Sequence, residues 1–141
     1  MNSFRVRMAD WERECEAMRA VRTPVFIQEQ QVPQQIEWDE MDPLCVHALA
    51  VDADGTPIGT GRLAPDGKIG RMAVLEEWRG KGVGAGILDF LIASAQERGI
   101  KECRLHAQFR AVDFYLQHGF HAEGEEFMEA GIPHRRMHRT L

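Results

Sequence analysis

Residues 79–86 read Arg-Gly-Lys-Gly-Val-Gly-Ala-Gly, with glycine at four alternate positions directly ahead of a strongly apolar stretch. From Val83 onward the apolar residues fall at Val83, Ile87, Leu88, Leu91, Ile92 and Ala95. That spacing predicts a helix with one buried stripe, and Gly99 supplies its stop. The run "GRMAV" just upstream reads as a strand. A strand that turns through glycines into a helix brings unbonded N–H groups and the positive end of the helix dipole to one point. Arg79 and Lys81 add charge there, and a missing Cβ lets an anion approach the backbone. A phosphorylated ligand fits this loop. A merely flexible surface turn explains the glycine spacing equally well.

The rest of the chain supplies a sheet for that helix to cover. "VHALAVD", the turn "DADGTP" and "IGTGRLA" read as a hairpin, and "PDG" turns the chain into "KIGRMAVL". "ECRLHA" predicts another strand, "AVDFYLQH" a short helix closed by Gly119, and "FHAEGEEFM" and "HRRMHRTL" two last strands. Ahead of the hairpin, Asp10 to Val21 predicts a helix with Trp11, Cys15, Met18 and Arg22 on one stripe. "TPVFIQEQQVP" reads as a short helix or turn, and residues 34–43 as an acidic irregular segment. The expected fold is α+β (mixed α/β): one central, mostly antiparallel twisted sheet flanked by helices. With no linker or repeat, residues 1–141 form a single domain.

Composition excludes several partners. A formal charge of −5 argues against a nucleic-acid binder, which would be basic. The start "MNSFRVRMADWERECEA" has acidic residues where a signal peptide needs an apolar core, so none is expected, and no apolar run reaches membrane-spanning length. Three widely spaced cysteines without a CxxC pair suggest neither disulfides nor zinc and fit a reducing cytoplasm. The pairs His118/His121 and His134/His138 lack further ligands, so no metal is expected.

Three phosphate motifs can be set against the glycine loop. The P-loop pattern fails, because Gly67-Lys68 is followed by Ile69. The dinucleotide fingerprint is met by Gly80, Gly82 and Ala85, but the strands before it look antiparallel, and Glu102 opens its strand where an acidic residue should close one. The third pattern, R/Q-x-x-G-x-G/A, is met by Arg79, Gly82 and Gly84.

With that loop, "RMAVLEEWRGKGVGAGILDFLIASAQERG" and "LHAQFRAVDFYLQHGF" resemble the cofactor-binding strand, loop, helix and following strand and helix of the GNAT superfamily of acyl-CoA N-acyltransferases. "VFIQEQ" and "GIPHRRM" are similar to a small stand-alone bacterial subgroup of ElaA type. The chain departs from many members in carrying Glu76-Glu77 where a proline is common. The resemblance implies an N-acetyltransferase with acetyl-CoA as co-substrate and a small-molecule or peptide amine as acceptor. It implies that Arg79, Gly80, Lys81, Gly82, Val83 and Gly84 hold the pyrophosphate, that Met72, Ala73 and Val74 offer backbone groups to the pantetheine arm, and that Gln108 contacts it. Tyr115, the only tyrosine, stands at the general-acid position. Glu29 is the favoured acceptor-side catalytic residue; Glu37, Asp39, Glu40 and Asp42 add acidity, and His47 and His106 are further candidate bases. No motif marks a cysteine as nucleophile, which favours direct transfer in a ternary complex. A non-catalytic acyl-CoA sensor or partner-binding module is the rival class, and a dinucleotide-dependent oxidoreductase the third. Exposed sheet edges leave room for a homodimer.

Overall fold

The structure, a computed structural model, describes residues 3–30 and 40–141, the side chains of Gln28 and Glu29 excepted. The chain opens on a strand, β1 (Phe4–Ala9), which the sequence reading passed over in beginning with a helix. Next come α1 (Trp11–Arg22) and a π-helical turn (Thr23–Glu29). A 3-10 turn (Asp42–Leu44) leads into the meander β2 (Val46–Asp52), β3 (Pro57–Leu63) and β4 (Ile69–Val74). After the glycine loop come α2 (Val83–Glu97), β5 (Glu102–Gln108) and the short α3 (Val112–Gln117). The hairpin β6 (His121–Glu129) and β7 (Ile132–Thr140) closes the chain.

α1 starts where Asp10 accepts a hydrogen bond from the Glu12 N–H at 3.1 Å, a side-chain cap on an otherwise orphaned donor. Arg7 of β1 grips Glu14 through two nitrogens, at 2.7 and 3.1 Å, and ties the first strand to this helix. Met18 and Val21 point inward, as the stripe requires; Met18 packs on Leu49 and Val51.

The opposite face belongs to α2. All six apolar residues of its stripe are buried, as the periodicity predicts. It comes close because β3 presents Gly59 and Gly61 to it: a Cβ on Gly61 would lie 2.8 Å from both Ile87 Cγ2 and Met72 Sδ. The core therefore depends on side chains being absent from β3 as much as on the apolar residues of α2.

The mostly antiparallel sheet opens in the middle. One half runs β1-β2-β3-β4, the other β5-β7-β6, and all neighbours within each half are antiparallel. The halves join at a single parallel bridge, Lys68 to Arg104. There the Arg104 N–H donates to the Gly67 carbonyl at 3.1 Å, and the Arg104 guanidinium pairs with Asp66. Gly67 is required: its φ is +95°, and a Cβ would sit 2.4 Å from the Glu102 carbonyl oxygen. Past this joint β4 and β5 have no ladder between them.

Candidate active site

The opening between β4 and β5 widens into a cleft of about 980 Å³. β4 enters it irregularly. Pairing with β3 steps from Thr60↔Ala73 to Arg62↔Gly70, so β4 carries one extra residue, and Arg71 stands at φ +53°. Such a bulge bends a strand and re-aims its side chains. Met72, Ala73 and Val74 line the cleft, and their edge toward β5 has no strand partner. Gln108 lines the opposite wall, where its Nε2 donates to Gln30 Oε1 at 2.8 Å.

The glycine loop closes one end. Arg79 Nε donates to the Val74 carbonyl at 3.0 Å and folds the loop against the end of β4. Gly82, the N-cap of α2, has φ +87° and offers no side-chain cap. The helix ladder begins with Gly86 N–H to Gly82 O, at 3.0 Å, so the N–H groups of Val83, Gly84 and Ala85 come before it. Among the described residues, no atom beyond the adjoining ones lies within 4 Å of where a Cβ of Gly80 or Gly82 would stand. Arg79, Gly80 and Gly84 line the cleft. An open loop rich in backbone donors beside an unpaired strand edge suits a pyrophosphate on an extended arm.

A family model described as an acetyltransferase (GNAT) domain matches residues 15–141. The chain belongs to the GNAT acetyltransferase family. A Bacillus subtilis protein named as an uncharacterized N-acetyltransferase, YjcF, is 40% identical over 121 residues, covering 83% of this chain and 86% of that one. Among solved structures, an acyl-CoA N-acyltransferase from Pseudomonas aeruginosa superposes with a TM-score of 0.86 at 29% identity, covering 97% of this chain and 99% of its own. Escherichia coli ElaA superposes at 0.83 and 27% identity, with the same coverage. The fold is thus that of acyl-CoA N-acyltransferases, and acyl transfer from an acyl-CoA is the chemistry of the family.

Within this GNAT fold the remaining residues separate clearly. Val83 has a buried side chain in the core, so only its backbone can face a ligand. Lys81 Nζ lies over the Trp78 ring, 5.3 Å from its centroid, and Lys81 is outside the cleft lining. Glu29 ends the π-helical turn, and its side chain, with all of Glu37 and Asp39, lies outside the described residues. Asp42 is not an acceptor-pocket acid. It is fully buried, bound by Arg22 at 3.1 and 3.2 Å and by Arg62 at 2.8 Å.

His47 is likewise no base. It is buried, stacks on Trp11 with ring centroids 4.9 Å apart, and its Nε2 meets the Asp42 carbonyl at 2.7 Å. Desolvation pushes its pKa down, against the Asp42 contacts that pull it up. His106, the other candidate histidine, does line the cleft. Neither Cys15 nor Cys45 lines the cleft, and Cys103 is a core residue whose thiol burial pushes up in pKa. Among the described residues no three His, Cys, Asp or Glu side chains converge as a metal site. Nor is any helix among them long and apolar enough to cross a membrane.

Tyr115 lines the cleft from α3 while its ring is buried against Phe114 and Phe120, with centroids 5.1 and 5.8 Å away. Desolvation pushes its pKa up to about 12. Because it is the only tyrosine, phenolate absorbance reports on it alone. An alkaline titration of the folded chain should give a midpoint near 12, against roughly 10 for an exposed tyrosine in denaturant. The folded state thus holds the proton more tightly than the unfolded one. The stability this represents is present in full below about pH 10 and is lost as pH rises through about 12. A folded-state midpoint near 10 would mean the hydroxyl stands in water.

Proposed function

We propose that the chain transfers the acetyl group of acetyl-CoA to a primary amine, directly, within a ternary complex. The observation that carries this reading is the meeting, in one cleft, of the unladdered β4 edge, the glycine loop at the start of α2, and Tyr115. In this reading Arg79 and the N–H groups of Gly82 to Gly84 hold the pyrophosphate, with Gly80 keeping the loop open and Lys81 contributing positive potential. Met72 to Val74 offer backbone groups along the β4 edge to the pantetheine arm, and Gln108 meets it from β5. An N–H on that edge polarises the thioester carbonyl as negative charge develops on its oxygen. Acetyl-CoA, when bound, supplies an acyl group already activated as a thioester. Tyr115 supports the departing sulfur, and Glu29 acts on the acceptor side. No cysteine lines the cleft among the described residues, which supports direct transfer over an acetylated thiol.

The test is a panel of amines, including diamines, amino acids, aminoglycosides and lysine peptides, scored by free-thiol release from acetyl-CoA. Calorimetry on Gly84→Val accompanies it. A Cβ at Gly84 would meet Phe114 Cζ at 3.7 Å and Val74 Cγ2 at 4.0 Å, ordinary contacts, so the fold should survive. The added γ carbons intrude on the first turn of α2 where the phosphates would lie. We expect CoA affinity to fall at least about tenfold, the equivalent of roughly 1.4 kcal/mol. Unchanged affinity in a folded variant would remove the loop from the site. Acetyl-CoA binding with no turnover on any amine would favour a sensor.

A further inference from the structure

We infer that His106 is the general base that deprotonates the acceptor ammonium, oriented by Glu129. The inference rests on the acyl-transfer reading above and deepens it. All three residues line the cleft, and they come from three strands. On the face of the second half-sheet away from α2, β5 presents Arg104, His106 and Gln108, opposite His138, Arg136 and His134 of β7. Glu129 arrives from the tight β6–β7 turn, in which Ala130 and Gly131 both have positive φ, +52° and +77°. An alanine in that conformation is strained, and the turn it forms aims Glu129 at the cleft.

The hydrogen bonds select a tautomer. A carboxylate only accepts, so the 3.0 Å contact between His106 Nδ1 and Glu129 Oε1 requires Nδ1–H to donate. In the neutral ring Nε2 is then left with the lone pair. Phe127 packs edge-on against the same imidazole, 5.0 Å between centroids, and fixes its plane. The second carboxylate oxygen faces His134 Nε2 at 3.6 Å, and His134 Nδ1 donates to the Ile132 carbonyl at 2.7 Å. His134 is buried beside this carboxylate. Glu129 is the only carboxylate among the described residues lining the cleft.

A neutral amine is what the reaction needs, and most alkyl amines are protonated at neutral pH. The step is one proton transfer: the acceptor R–NH₃⁺ gives H⁺ to His106 Nε2, the N–H electron pair stays on nitrogen as the attacking pair, and the imidazolium is stabilised by Glu129. Across the whole reaction, amine cation and acetyl-CoA give amide, CoA thiol and one proton, and that proton leaves through Nε2 to solvent. The other charges set about His106 are Arg136 directly opposite on β7, Arg104 on its own strand, Glu123 of β6 across from Arg136, and Lys68 and Arg71 at the β4 wall. Glu129 meets the ring directly, at 3.0 Å.

The test combines kinetics with spectroscopy on the intact chain. For an amine the wild type accepts, His106→Gln should lower kcat/KM about a hundredfold at neutral pH and leave acetyl-CoA affinity within about twofold. Added imidazole should restore part of the activity of His106→Ala. Glu129→Gln keeps an acceptor for Nδ1–H but removes the charge, so the acidic limb of the kcat/KM profile should move to lower pH. His138→Gln, on the same face outside the cleft, should leave the profile unchanged. Independently of turnover, nitrogen NMR of the labelled protein should find neutral His106 protonated at Nδ1, the minor tautomer of free histidine. A neutral ring protonated at Nε2, or full activity with an unmoved acidic limb in folded His106→Gln, would overturn the assignment while leaving acyl transfer intact. A wild type that transfers acetyl to no amine would overturn the acyl-transfer reading, and this inference with it.

Discussion

Asp42→Ala is expected to destabilise the chain by about 3–5 kcal/mol, the usual cost of breaking a buried ion pair by removing one partner. Asp42 and Arg22 are each 1% exposed at the side chain, and Arg62 is 12% exposed. One buried carboxylate therefore serves two guanidinium groups, that of Arg22 out of contact with water and that of Arg62 at the edge of the cleft. Removing it leaves the buried Arg22 and the partly exposed Arg62 without the anion between them, and neither guanidinium can shed its proton. The neighbourhood cannot readily relax: Arg22 also lies over the Trp11 ring, 5.4 Å from its centroid, and Trp11 stacks on His47. Denaturant unfolding at neutral pH should show the loss as a lower midpoint at unchanged slope, and Tm should fall by roughly 10 °C. Asp42→Asn, which keeps the shape and loses the charge, should recover only a minor part. A loss under about 1 kcal/mol for Asp42→Ala would mean that other contacts of the two arginines carry the site.

That acid shows why some of this molecule was legible in its sequence and some was not. The glycine loop, α2 and the meander follow from local rules: a period of 3.6, a period of 2, and turns whose residues are adjacent in the chain. Each was found within a residue or two of its place. β1 was missed because its partner β2 begins about 40 residues later, so no turn announces the pairing. Asp42 read as one acid in an acidic run, because its partners are each 20 residues away in opposite directions. His106 was one candidate base among several, with nothing local to set it apart from His47. What distinguishes it is that β7 inserts between β5 and β6 and brings the β6–β7 turn back to the cleft, a consequence of sheet order that no local pattern encodes. The π-helical turn from Thr23 to Glu29 was legible as a turn but not as that type. The glycine loop is built from neighbours in the chain, whereas the wall that carries His106 is assembled across the sheet.

Tyr115→Phe should lower kcat about a hundredfold and leave CoA affinity nearly unchanged. The ring contacts with Phe114 and Phe120 survive the substitution, so packing and fold are retained and only the hydroxyl is lost. The size of the effect follows from the proton's position. With burial holding the phenol near pKa 12, and an ordinary thiol near 8.5, complete transfer to the departing sulfur is uphill by roughly 5 kcal/mol. A barrier of that size disfavours full ionisation of Tyr115 before the carbon–sulfur bond breaks. The same burial keeps the hydroxyl protonated at every working pH, so it is always available as a donor, and in a desolvated site a hydrogen bond to developing negative charge is strengthened. Tyr115 in this role stabilises the charge on sulfur and hands over its proton only as that charge becomes complete. Thiolates leave tolerably well unaided, which places the loss at the low end of the ~10²–10⁴ range for acid–base groups. The alkaline limb of the kcat profile should then lie well above pH 10 and be absent in Tyr115→Phe. Full activity in that variant, with chemistry shown to limit the rate, would return Tyr115 to the core as a packing residue whose hydroxyl happens to border the cleft.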